Sequence, residues 1–137
     1  MAEDIEKIRR QKLAELRNKA ETGGAEPSPS KSPSEPIHID GGAELSETAA
    51  EYGLVLADFY ADWCGPCQML EPIVETIAAE TDATVAKIDI DANQQLAAEY
   101  GVRGVPTLIL FADGQPAERL VGMQDEAQLR SVIEAHA

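Results

Sequence analysis

The sequence predicts an α/β fold: a central mixed β-sheet flanked by helices, with a helical appendage at the N-terminus. Three observations carry this. From residue 37 onward, short apolar runs of strand length alternate with stretches of helical periodicity. The last two strand-like runs are joined through Asp113-Gly114, a dipeptide that favours a tight hairpin. Ahead of this region lies a segment rich in Pro, Ser and Gly, which separates it from an amphipathic stretch at the start. With 137 residues, 44% of them hydrophobic, the chain is long enough for one core-bearing domain and too short for two ordinary ones.

The elements follow in order. Residues 1–20 are expected to form a charged amphipathic helix, because Ile5, Ile8, Leu13, Leu16 and Ala20 share one stripe of the helical wheel. Residues 21–36, with Gly23-Gly24 and then Pro27, Pro29, Pro33 and Pro36 among serines, read as a linker that cannot bury enough apolar surface to order itself. The domain proper is 37–137. Ile37 to Asp40 suits a short strand, Ala43 to Tyr52 a helix ended by Gly53, and Leu54 to Ala61 a strand of the buried type. Gly65 to about Thr81 suits a helix, with Pro66 tolerated in its first turn and Pro72 far enough inside to kink it. Thr84 to Ile90 is the next strand, and Asn93 to Tyr100 a helix stopped by Gly101. Thr107 to Phe111 and Ala117 to Val121 are the hairpin strands, and Asp125 to His136 closes the chain as a helix with Leu129, Val132 and Ile133 on one face. The sheet should be parallel where helices cross over and antiparallel at the hairpin.

Charge is divided unevenly along this plan. Residues 1–36 hold seven basic and seven acidic residues, whereas residues 37–137 hold four basic and eighteen acidic ones. A body this acidic repels nucleic-acid phosphates and anionic lipid, so neither is expected as a partner. No apolar stretch reaches the roughly 18 residues of a spanning helix, and the start is charged, so a soluble, cytoplasmic protein is expected; a monomer is expected as well. The charges of residues 1–36 balance, and the first helix is read as an appendage or an intramolecular docking element.

The chemistry lies at Cys64-Gly65-Pro66-Cys67, where a buried strand hands over to a helix. In such a sheet the ligand crevice forms beyond the carboxyl ends of the strands. A thiol in the first helical turn faces unpaired backbone N–H groups and the positive end of the helix dipole, both of which favour thiolate. Cys64 is therefore the better nucleophile. Cys67, one turn on, is placed to attack a mixed disulfide formed on Cys64, while Pro66 removes a competing donor and stiffens the turn. Two other readings stand beside this one. A zinc site would need two more ligands, and the only histidines, His38 and His136, have no metal-like spacing from the cysteines. Inert buried thiols suit a helix interior better than a strand-to-helix junction.

The run Asp58-Phe59-Tyr60-Ala61-Asp62-Trp63-Cys64-Gly65-Pro66-Cys67, followed by Pro72, Lys87-Ile88-Asp89, Gly104-Val105-Pro106-Thr107 and Val121-Gly122, resembles the thioredoxin family across residues 37–137. The resemblance implies the thioredoxin fold and a protein-disulfide reductase that needs no cofactor beyond the Cys64–Cys67 disulfide and no metal. It implies disulfide-containing protein substrates and a thioredoxin reductase, flavin-containing or ferredoxin-linked, that restores the dithiol. The Gly65-Pro66 filling points to the reducing members. By the same resemblance, Asp58 is the buried carboxylate that takes a proton from Cys67. On pattern alone it could equally be a strand-end carboxylate reaching solvent, although burial would raise its pKa toward that of a usable base. Lys87 matches a lysine that lies near this carboxylate and tunes it; alone it would be a solvated strand residue. Pro106 matches a cis-proline facing the cysteines, although X–Pro bonds are mostly trans. Val105 should offer backbone hydrogen bonds to an extended substrate segment. Trp63, Gly104, Gly122 and Met123 complete an apolar docking surface, with Trp63 as an ordinary packed aromatic the plainer alternative.

The sequence departs from the commoner family pattern at Tyr60, where tryptophan is frequent, and at Gln68, where lysine is usual. The loss of that lysine removes one influence favouring the Cys64 thiolate. The excess of acid with so little lysine resembles proteins of salt-loving archaea. A redox-switched binding module with the same fold is the alternative function, since this fold hosts non-catalytic roles.

Overall fold

The run Leu54–Tyr60 forms the middle strand of the sheet, and six of its seven residues are buried. This computed structural model describes residues 32–137. The expected helix at 1–20 and the first part of the expected linker lie outside the described residues, and residues 32–36 contain neither helix nor strand. The described elements are β1 (Ile37–His38), α1 (Gly42–Glu51), β2 (Leu54–Tyr60), α2 (Gly65–Glu80), β3 (Thr84–Asp89), α3 (Gln94–Glu99), β4 (Thr107–Ala112), β5 (Gln115–Val121) and α4 (Glu126–Ala135).

The five strands lie in the order β1-β3-β2-β4-β5. β1 and β2 run parallel to β3, whereas β4 runs antiparallel to both β2 and β5, which is the mixed sheet that the helix crossovers and the hairpin predict. At the hairpin Asp113 and Gly114 both take positive φ, 52° and 84°, as a two-residue turn matched to strand twist requires. β5 is longer than the sequence suggests. It begins at Gln115 rather than Ala117, because pairing with β4 rather than burial defines it, and its exposed residues give no apolar pattern. β1 stops at His38, two residues short of expectation.

Strand alternation sorts the core into two layers. Leu54, Leu56, Val85, Leu108 and Leu110 face Leu70, Val74 and Ile77 of α2 and Leu129 and Ile133 of α4. Val55, Ala57, Phe59, Ala86, Ile88, Ile109 and Phe111 face the other way, against Leu45 and Ala49 of α1 and Leu96 of α3. Pro72 sits inside α2, which nevertheless continues as one helix from Gly65 to Glu80. α4 is started by Asp125, whose carboxylate accepts from the Gln128 N–H at 2.7 Å.

Leu129 is fully buried whereas Val121 is 66% exposed. Leu129→Ala should therefore cost about 2–5 kcal/mol. Val121→Ala should stay within about 0.5 kcal/mol of the parent. Urea unfolding of both variants at one fixed salt concentration measures the contrast, and comparable losses would contradict this assignment of the core.

Candidate functional site

Parity along β2 decides what reaches the site. Leu54 and Leu56 point toward α2, so Asp58, two residues further on, points the same way. Its register partners are Lys87 on β3 and Leu108 on β4, so a carboxylate and an ammonium-bearing side chain stand side by side on a face otherwise packed with aliphatic groups. Asp58 is 1% exposed, and its Oδ1 has no hydrogen-bond partner among the described residues. Burial pushes the Asp58 carboxyl up to about 6; the Lys87 charge opposes this and the Glu71 charge adds to it.

β2 ends at Tyr60, and after a short turn the chain enters α2. Cys64 caps the helix in extended geometry, and Pro66 stands within the first turn. The Cys67 N–H donates to Cys64 Sγ at 3.1 Å. This is the interaction expected of a sulfur at a helix N-terminus, where orphan donors and the dipole both favour negative charge. Cys64 and Cys67 are joined as a disulfide. Both are buried with Ala61, and Tyr60, Ile90 and Val105 pack against them.

Val105 comes from the loop before β4. The Val105–Pro106 peptide bond is cis, Pro106 is buried, and the loop is held by Thr107 Oγ1 donating to the Gly104 carbonyl at 2.7 Å. Gly122, at φ 91°, donates its N–H to the Pro106 carbonyl at 2.9 Å, which ties the end of β5 to this loop. Gly65, Pro66, Gly104 and Met123 are exposed. Trp63 is 69% exposed, so it is not an ordinary packed aromatic; its indole Nε1 donates to Asp91 Oδ2 at 3.0 Å. Gln68 uses its amide on the Asp62 carbonyl at 3.0 Å. Among the described residues no group of His, Cys, Asp or Glu could hold a metal ion.

Sequence reasoning misses two participants. One is Asp91, which fixes the indole. The other is Glu71, which binds the Lys87 ammonium at 2.8 Å. Glu71 lies one helical turn after Cys67, and that i+4 spacing is the signal that could have found it.

The thioredoxin family model matches residues 42–135. The chain belongs to the thioredoxin family. It is 52% identical over 85 residues to a thioredoxin of Chlamydia muridarum, covering 61% of this chain and 83% of that one. To a thioredoxin of Staphylococcus aureus it is 44% identical over 92 residues, covering 66% and 88%. Among solved structures, a mutant thioredoxin from Halobacterium salinarum superposes with a TM-score of 0.76 at 61% identity, covering 78% of this chain and 95% of that one. A Fasciola hepatica thioredoxin superposes at 0.69 with 36% identity, covering 74% and 99%. The chain is thus a thiol–disulfide oxidoreductase of the thioredoxin type, with the thioredoxin fold and a redox-active cysteine pair at Cys64 and Cys67.

The buried carboxylate of this family member has a consequence for stability. With its carboxyl raised from 3.8 to about 6, folded Asp58 holds its proton over a pH range in which the unfolded chain has lost it. The Asp58 contribution to stability therefore falls as pH rises from about 4 through 6, and above that range the ionised group costs about 3 kcal/mol. Asp58→Asn should be more stable than the parent by about this amount at pH 7.5, with the advantage fading toward pH 4. Urea unfolding of the oxidised proteins at pH 4, 5.5 and 7.5 measures the difference, and a gap independent of pH would contradict the burial argument.

Proposed function

We propose that this protein is a general cytoplasmic protein-disulfide reductase in which Cys64 attacks and Cys67 resolves. The Cys64 thiolate attacks one sulfur of a substrate disulfide; a Cys64–substrate bond forms and the other substrate sulfur leaves as a thiolate that takes a proton from solvent. Cys67 gives its proton to Asp58, and its thiolate attacks Cys64 Sγ. The second substrate thiol is released, and the Cys64–Cys67 disulfide carries the two electrons' worth of oxidation. A thioredoxin reductase returns the pair to the dithiol. The observation that carries this reading is the Cys67 N–H directed at Cys64 Sγ, which makes Cys64 the sulfur best stabilised as an anion.

Substrate docking is assigned to the exposed rim around the cysteines. Trp63, Gly65, Pro66, Gly104 and Met123 are open, Gly122 is half-buried, and Val105 packs on the disulfide from the cis-Pro106 loop. A substrate strand laid against Val105 would gain backbone hydrogen bonds and bring its disulfide to Cys64. Lys87, in register with Asp58, contributes by its charge. The chain is assigned three segments: the charged helix 1–20, the linker 21–36 and the catalytic domain 37–137. No helix among the described residues is long and apolar enough to cross a membrane.

Cys64→Ser should abolish insulin reduction. Cys67→Ser should still attack substrate yet remain covalently joined to it, since the resolving thiol is gone. Non-reducing gels with a turnover assay distinguish the two, and comparable turnover in either variant would defeat the assignment.

Adaptation to high salt belongs to the same proposal. In residues 37–137 eighteen carboxylates face one lysine and three arginines. Lys87 is bound to Glu71 and Arg130 to Glu80 and Glu126, while Arg119 donates to the Tyr100 carbonyl. Few cations therefore offset the surface acid. The Debye length shrinks from about 30 Å at 0.01 M to about 3 Å at 1 M, which removes repulsion across the domain. The melting midpoint should rise from 0.01 M to 2 M potassium chloride, and a flat or falling midpoint would count against salt adaptation.

A further inference from the structure

Near the disulfide, a second carboxylate competes for the lysine at the site, and the exchange chemistry alone does not account for it. Lys87 is nearly buried, its side chain 6% exposed, and its ammonium lies 2.8 Å from Glu71 Oε1 and 4.4 Å from the centre of the Tyr60 ring. Glu71 is 47% exposed at the side chain, so it remains partly hydrated while it holds the ammonium. Asp58, the register neighbour of Lys87, is far more buried and keeps Oδ1 without a donor among the described residues. The more deeply buried carboxylate thus lacks the ammonium, although a buried anion is the one that gains most from a cation. Glu71 and Lys87 line a cleft of about 280 Å³ together with Tyr60, Gln68 and the resolving Cys67.

We propose that Glu71 is a positioning residue for the exchange reaction: by holding the Lys87 ammonium at 2.8 Å, it denies Asp58 a direct ion pair and so sets how readily Asp58 accepts the Cys67 proton. The proposal rests on the reading of Asp58 as that acceptor. With two carboxylates and one ammonium, an ammonium paired to Glu71 leaves Asp58 with a high proton affinity. Neutralising Glu71 removes a nearby negative charge and frees the flexible lysine stem to turn to Asp58; both changes favour ionised Asp58. The groups that face this pair are few. β3 brings Lys87 and Asp89, α2 brings Glu71 and Cys67, β2 brings Tyr60, the turn after it brings Asp62, and β4 opposes Asp58 with the apolar Leu108.

The test follows the Asp58 carboxyl by carbon NMR through a pH titration of the oxidised full-length protein at fixed salt. In Glu71→Gln the Asp58 midpoint should fall by about one pH unit or more. Glu71→Asp, which keeps the charge, should stay closer to the parent. In a Lys87→Gln background, the Glu71→Gln displacement should shrink to less than half. An unmoved midpoint in Glu71→Gln would overturn the proposal, as would an equal displacement with and without Lys87. The acid limb of the resolution rate, measured on preformed mixed disulfides, should move with the midpoint. A midpoint that moves while the rate profile stays fixed would overturn the acceptor reading of Asp58 beneath the proposal, a failure distinct from that of Glu71.

Discussion

The burial of β2 is the constraint on which the rest of the molecule depends. This strand is paired on both sides, with β3 and with β4, and is covered by helices on both faces, so every residue from Leu54 to Phe59 is removed from water. Such a strand has one register and one facing, because a shift by a single residue would exchange the two apolar layers. Its carboxyl end is consequently a fixed point, and the chain passes from it through Ala61 into the cysteine-bearing turn of α2. Catalytic placement in this protein is inherited from a hydrophobic strand.

The same strand carries a local cost. Asp58 occupies a position that Leu54 and Leu56 fill with aliphatic side chains, and it does so with an oxygen unpaired among the described residues. A group buried in this way is poorly hydrated and holds its proton above the usual carboxylate range, so its ionisation is paid for in stability. The surrounding layers absorb this because the aliphatic packing around them is nearly continuous.

Much of this was legible in the sequence, for identifiable reasons. The buried strands announce themselves as apolar runs, α2 by its proline in the first turn, and the hairpin by Asp113-Gly114, because in each case local chemistry and tertiary context agree. The cysteine pair was legible because it stands at a strand-to-helix junction. What escaped was set by partners distant in sequence. The start of β5 is fixed by pairing with β4, and its exposed residues carry no periodic signal. The Glu71–Lys87 ion pair links residues sixteen positions apart across a helix and a strand, and the Trp63–Asp91 bond links two loops. Helical spacing could bring Glu71 toward Cys67, but nothing in a single sequence names Lys87 or Trp63 as the partner, since any solvated carboxylate would look the same.

The two rims of the sheet differ from its centre in a way that bears on crowding. β1, at one rim, is two residues long, and β5, at the other, carries Pro116, Glu118 and Arg119 and is shifted in register against β4 beside Leu110. Short length, a proline without an N–H, outward charges and an irregular ladder are each means of denying a neighbouring chain a strand to pair with. Charge alone keeps acidic proteins apart only while their fields extend beyond the surface. Backbone irregularity acts at contact and needs no field. The sheet therefore resists edge-to-edge association by shape as well as by charge, and it keeps that resistance at any ionic strength.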